Sequence, residues 1–289
     1  MKKYNPHAWV TLIFHAYSRD ILRQLFPAMI LIAGFSALLN FAIVYYEIDF
    51  EHNLAVHSLL GIVLGLFLVF RTNGAYDRWW EGRKHWGSLV NTCRNFANKI
   101  DAYLDPELQE ERVLFYRLYS NFVFAMKEHL REGVKYEEME HIDDDFKKGL
   151  EEHDHKPNYI VSVIFKHLNR LYREKKISGD QLIVIDQESR ELLDILGACE
   201  RIKNTPIPYS YNLFLKKFVF IYITTLPLAL VLLYGYYSAA ITALMFYILA
   251  STEFIAEEIE DPFGRDDNDL PTDELSAKIK ANIKEILIK

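Results

Sequence analysis

Carboxylates crowd one stretch of the chain, residues 257–271, which reads Glu-Glu-Ile-Glu-Asp-Pro-Phe-Gly-Arg-Asp-Asp-Asn-Asp-Leu-Pro. Clustered carboxylates are the donors that a hard divalent cation takes, and calcium uses about six to eight oxygens. Arg265 stands inside the run, and a guanidinium there repels such an ion. The competing reading is a solvated acidic turn with Asp-based caps. His153-Asp154-His155 offers two imidazoles. Ligands at i and i+2 on an irregular acidic segment make a poor metal pattern, and a solvated surface accounts for them. Cys93 and Cys199 are the only cysteines, too few for a disulfide scaffold, and point to a reducing compartment. The sequence has no Walker loop, no His-Glu-x-x-His, no zinc spacing and no nucleophile–base constellation. Catalysis therefore has no residues to rest on, and no cofactor is implied with certainty.

The elements that carry these residues emerge from where charge is missing. The 289 residues hold 33 basic and 40 acidic side chains, a net charge of −7, and the mean hydropathy is −0.03. Those averages suit a soluble protein, and the acidic balance argues against a nucleic-acid partner. Yet residues 24–46 are 23 positions without Asp, Glu, Lys or Arg, residues 53–70 are 18 more, and residues 218–252 are 35, interrupted near Gly235. A bilayer core needs about 20 apolar residues per helix. The first run spans alone. The second is marginal but continues into a polar helix. The third divides at Gly235 into two short spans that need tilt or shielding by protein. Arg19 and Arg23 behind Lys2 and Lys3 separate the first run from a signal-peptide pattern.

Flanking basic charge orients four spans. Lys2, Lys3, Arg19 and Arg23 precede the first, Arg71, Arg78, Arg83 and Lys84 follow the second, and Lys216 and Lys217 precede the third. Only Glu47, Asp49 and Glu51 follow the first span before the second begins. Both termini and the long middle segment are thus expected in the cytoplasm of a multi-pass membrane protein. The expected division is 1–24, an N-terminal cytoplasmic segment; 25–70, transmembrane helices one and two; 71–217, a cytoplasmic helical domain; 218–256, helices three and four; and 257–289, an acidic cytoplasmic tail.

Within the middle segment Leu114, Leu118, Phe122 and Met126 recur every four residues, and Leu182, Ile185, Leu192 and Leu196 mark a second helix face. Asp180, just past Gly179, is a plausible N-terminal signal for that second helix. No stretch alternates as a strand. The expected fold class is an all-α membrane protein, four transmembrane helices with a bundle of long cytoplasmic helices. The polar residues 131–158 are expected to be a solvated helix pair or loop. Thr205-Pro-Ile-Pro208 breaks any helix and reads as a hinge before the third span. Pro227 inside that span frees a carbonyl that the Thr224 or Thr225 hydroxyl is placed to satisfy.

Three stretches are more distinctive than their composition: residues 71–87, Arg-Thr-Asn-Gly-Ala-Tyr-Asp-Arg-Trp-Trp-Glu-Gly-Arg-Lys-His-Trp-Gly; residues 199–209, Cys-Glu-Arg-Ile-Lys-Asn-Thr-Pro-Ile-Pro-Tyr; and the acidic run 257–271. In this order, with four spans, the chain resembles the bestrophin family in its prokaryotic branch, from about His7 to Leu275. The resemblance implies a homopentameric channel for monovalent ions, chloride by family default and cations in some prokaryotic members. Its partners are then copies of itself, membrane lipids and the permeating ions. The second transmembrane helix would line the pore, with an apolar neck in the membrane and a second constriction toward the cytosol. The resemblance also matches Asp261, Asp266 and Asp269 to the ligands of a calcium clasp, and calcium is the only metal it implies. Arg265 departs from the animal pattern, which has an acid there.

Ile62, Leu66 and Phe70 stand at i, i+4 and i+8, and so share a helix face with a drift of about 40° per step. By spacing alone the face is lipid-facing, core or pore; the resemblance selects a pore neck, where a narrow apolar tube gates by dewetting. Gly61 and Gly65, on a neighbouring face, permit close helix approach. Trp79, Trp80 and Trp86 suit either an interfacial anchor or packing on another subunit. Spacing to Cys199-Glu-Arg201 puts the cytosolic constriction near residues 180–183, with Asp180 or Gln181 as a polar ring or Leu182 as an apolar one. The competing functions are a membrane-anchored metal-dependent enzyme using Asp261 to Asp269 and a non-conducting helical scaffold; a liposome flux assay separates a channel from both.

Overall fold

The computed structural model describes residues 16–48 and 54–288. Lys2, Lys3, most of the expected segment 1–24, and Asp49 and Glu51 of the first loop lie outside the described residues. Among the described residues the regular structure is helical throughout: α1 (Ala16–Tyr45), α2 (Leu54–Tyr103), α3 (Gln109–His129), α4 (Asp144–Glu152), α5 (Lys156–Arg173), α6 (Gly179–Asn204), α7 (Tyr209–Tyr234), α8 (Tyr237–Glu260) and α9 (Thr272–Leu287), with one 3₁₀ turn at Tyr136–Glu138. The chain divides into two compact units.

The first unit comprises residues up to Arg78, residues 206–260 and residues 266–268. It holds α1, the start of α2, α7 and α8. Among the described residues four helical segments are long and apolar enough to cross a membrane, and they include residues from each of these helices. The two spans after the hinge are not short. α7 has 26 residues and α8 has 24, each about 36–39 Å long at 1.5 Å per residue. They outrun the charge-free stretch because polar and charged residues at their ends stay helical. Gly235 separates them with φ of 53°, a left-handed cap whose amide donates to the Val231 carbonyl at 2.8 Å. Leu64 and Leu68 of α2 pack with Leu215, Val219, Ile223, Leu226 and Leu230 of α7.

Pro227 is accommodated differently from the expectation. The Thr224 hydroxyl donates to the Phe220 carbonyl at 2.8 Å and that of Thr225 to the Ile221 carbonyl at 2.7 Å. Neither serves the carbonyl of Ile223, the one a proline at 227 leaves free. Thr225 also meets His57 Nε2 at 3.0 Å, joining α2 to α7.

The second unit comprises residues 79–205, 261–265 and 269–289. Its core gathers Phe96, Phe115, Leu118, Tyr119, Phe122, Met126, Ile164, Ile185, Leu192 and Leu196 from α2, α3, α5 and α6, so both periodic faces face inward. Trp86 is fully buried in that core and Trp79 packs against it, while Trp80 is 48% exposed. Trp86 is thus neither a lipid anchor nor a subunit contact, because its helix face lies on the core side of α2. The start of α6 carries Asp180 in its first turn, as expected, and is capped by Ser178. The Ser178 hydroxyl accepts from the Gln181 amide, and the Gln181 side chain accepts from the Ser178 amide. Residues 131–158 follow the helical alternative, with α4 and the start of α5: Asp143 caps α4 by accepting from the Phe146 amide at 2.7 Å, and α4 buries Phe146 and Leu150. Cys93 and Cys199 are free and buried.

Candidate functional site: one face of the second helix

Helix α2 has two faces of opposite fate. Leu64, Leu68, Arg71 and Ala75 are buried, at steps of four, three and four residues. The opposite face is open: Leu59 is 63% exposed, Ile62 70%, Leu66 55% and Phe70 59%. Asn73 and Asp77 continue that open face past the apolar run. The structure therefore places Ile62, Leu66 and Phe70 on one unpacked stripe, with polar groups next along it.

Gly61 and Gly65 have different surroundings. A Cβ on Gly61 would stand 2.9 Å from the Tyr222 hydroxyl, so the missing side chain is what lets Tyr222 reach α2. A Cβ on Gly65 would meet nothing within 4 Å.

One residue beyond Phe70, the open stripe is backed by a buried charge. Arg71 is 1% exposed, and its guanidinium meets Glu260 Oε2 at 2.7 Å and Glu253 Oε1 at 3.5 Å. Glu260 Oε1 accepts from the amide of Ile207 at 2.6 Å, and its own carbonyl accepts from Arg78 Nε at 3.2 Å. The Ile207 amide lies between two prolines in the segment that sequence marks as a hinge, so the end of α8 holds that segment by a backbone bond. Nothing in the spacing of residues 71, 207 and 260 signals this cluster.

In the segment 180–183, Gln181 is committed to the α6 cap and Leu182 packs against the core. Asp180 and Ile183 are exposed, Ile183 at 63%.

Asp261 is bonded to Lys203 Nζ at 2.8 Å. Asp269 is 2% exposed, and its Oδ2 lies where a Cβ on Gly264 would come within 2.7 Å. Arg265 Nη2 faces Glu128 Oε2 at 3.4 Å. Among the described residues, two groups of three side chains bring ligand atoms within 4.8 Å of one another, and neither contains Asp261, Asp266 or Asp269.

One of those two groups is Glu128, Glu138 and Asp273, and cations already fill it. Lys127 Nζ, with its side chain 1% exposed, lies 2.5 Å from Glu138, 2.8 Å from Asp273 and 3.2 Å from Glu128. Arg131 adds bonds to Asp273 at 2.9 Å and Glu128 at 3.0 Å. Burial opposes the charges of Lys127 and Glu128, yet these bonds raise the Lys127 pKa and lower that of Glu128. The Arg131 guanidinium, bonded to Asp273, holds its carboxyl far below the ordinary carboxylate range. The network fastens α9 to α3. The second group is His129, His155 and Glu200. His153 does not join it: its Nδ1 lies against the Gly149 carbonyl at 2.7 Å.

Four long apolar helical segments and an all-helical described fold define a helical membrane protein. Residues 1–285 match the family described as Bacterial/Fungal Bestrophin protein, and the chain belongs to that family. It is 36% identical over 231 residues to a voltage-dependent anion channel-forming protein of Synechocystis, covering 78% of this chain and 75% of that one. It is 30% identical over 278 residues to the voltage-dependent anion channel-forming protein YneE of Escherichia coli K12, covering 95% of this chain and 90% of that one. Its fold matches the crystal structure of a bacterial bestrophin homolog from Klebsiella pneumoniae with a TM-score of 0.82 at 26% identity, over 90% of this chain and 97% of that one.

Proposed function

We propose that the chain is one subunit of a homopentameric channel for monovalent anions, with chloride as the default ion. The observation that carries this reading is the open stripe of Ile62, Leu66 and Phe70 opposite a buried face of the same helix. Each copy in a ring would contribute that stripe to a central axis, stacking three apolar rings. Such a neck holds water poorly and conducts only when wetted. Family membership and relatives named as anion channel-forming proteins support ion passage over catalysis. An apolar neck has no charge preference of its own, so selectivity falls to polar groups beside it: Asn73 can donate to an anion, whereas Asp77 opposes one.

In this reading residues 25–70 and 218–256 are the membrane part of an inner-membrane protein, and 71–217 and 257–289 are cytoplasmic, as are both termini. The cytosolic constriction belongs to residues 180–183, where Asp180 and Ile183 present the open side chains. Purified protein in liposomes with asymmetric potassium chloride tests the whole: a chloride-directed reversal potential is expected. A potassium-directed one would replace the anion assignment, and absence of flux from a pentamer of correct mass would remove the channel.

A further inference from the structure

The residues His129, His155 and Glu200 come from distant parts of the sequence and converge within the second unit. His129 ends α3, His155 is the N-cap of α5, and Glu200 lies near the end of α6. His129 Nε2 stands 2.7 Å from Glu200 Oε1 and His155 Nε2 stands 2.8 Å from the same oxygen. The two imidazole rings lie 4.6 Å apart, tilted by 32°. Two ring nitrogens and a carboxylate oxygen thus point at one small volume from three helices. All three side chains are partly exposed, at 29%, 42% and 27%, so an ion and a water can enter.

We propose that His129, His155 and Glu200 form a binding site for a divalent transition metal of the zinc class. Two imidazoles and one carboxylate are the donor set of an open zinc site, with water at the fourth position. Zinc bonds of about 2.0–2.1 Å in tetrahedral geometry set ligand atoms about 3.3 Å apart, so the present contacts need to open by only about half an ångström. Calcium and magnesium, which favour oxygen cages, are poorly served by two nitrogens. Binding moves the His155 proton to Nδ1, which now accepts from the Asn158 amide at 3.3 Å; that contact is long and exposed, and water replaces it. A bound ion would tie the end of α3, the start of α5 and α6 together. This site is independent of the channel reading and holds whether or not the protein conducts.

The test is calorimetric titration of metal-stripped, full-length protein in detergent with zinc chloride. Saturable binding of one zinc per chain is expected, weakened at least tenfold in H129A, H155N and E200Q and on acidification, because protons compete for the ligands. Asparagine is a good helix N-cap, so H155N removes the imidazole while keeping the start of α5. X-ray absorption at the zinc edge should show nitrogen and oxygen neighbours and no sulfur. Magnesium and calcium chloride should not compete. The proposal is overturned if zinc does not saturate at micromolar concentrations, or if the three variants, each keeping wild-type helix content, bind as the parent does.

Discussion

Arg71 Nη2 lies 2.7 Å from Glu260 Oε2, with the guanidinium wholly buried and the carboxylate nearly so. The same carboxylate holds the Ile207 amide between two prolines. One ion pair therefore ties α2, at the residue after Phe70, to the end of α8 and the start of the α7 approach. Removing one partner of a buried pair leaves an unpaired charge, which costs about 3–5 kcal/mol. E260A is expected to lose that much in chemical denaturation. E260Q keeps an acceptor for Ile207 and should lose less. Equal losses in the two variants would show that the backbone bond contributes nothing.

Leu66 sits in the middle of the open stripe, so truncating it changes no packed core. L66A should raise liposome ion flux without lowering thermal stability. Unchanged flux in a correctly assembled variant would remove Leu66 from the neck.

Asp77 follows the neck on the same open face. If that face lines the pore, D77N removes a ring of negative charge and shifts the reversal potential further toward chloride. No shift would place the selectivity elsewhere.

Gly61 makes room for the Tyr222 hydroxyl. G61A forces a contact near 2.9 Å and is expected to destabilise by about 1–3 kcal/mol, as overpacking does. Y222F should restore part of the loss. G65A meets nothing within its own chain, so a shift in its oligomer mass would report packing between copies.

The fastening of α9 depends on pH through Asp273. Its folded-state pKa is depressed, chiefly by the bond from Arg131. A depressed pKa means the contribution is complete above the unfolded-state value of about 3.9 and is lost as pH falls from there toward the lower folded value. D273N should reduce stability at neutral pH and flatten the decline between about pH 4 and 2, read by thermal unfolding across that range.

The sequence by itself determined the membrane helices, because a missing charge over about 20 residues is a local property with one thermodynamic cause, the cost of placing an ion in hydrocarbon. It also determined the inward faces of α3 and α6, since helical periodicity is written within a few turns, and the shared face of Ile62, Leu66 and Phe70. It misjudged the lengths of α7 and α8, whose polar ends carry no hydropathy signal yet stay helical. Trp86 looked interfacial by type, and only packing showed it to be core. The acidic run left an ion site and a solvated turn both open; tertiary structure paired Asp261 with Lys203 and buried Asp269. Only tertiary structure brought Arg71 to Glu260 and His129 to His155 and Glu200. Side chains this far apart in the chain leave no mutual spacing to read, and helix packing alone sets which of them meet.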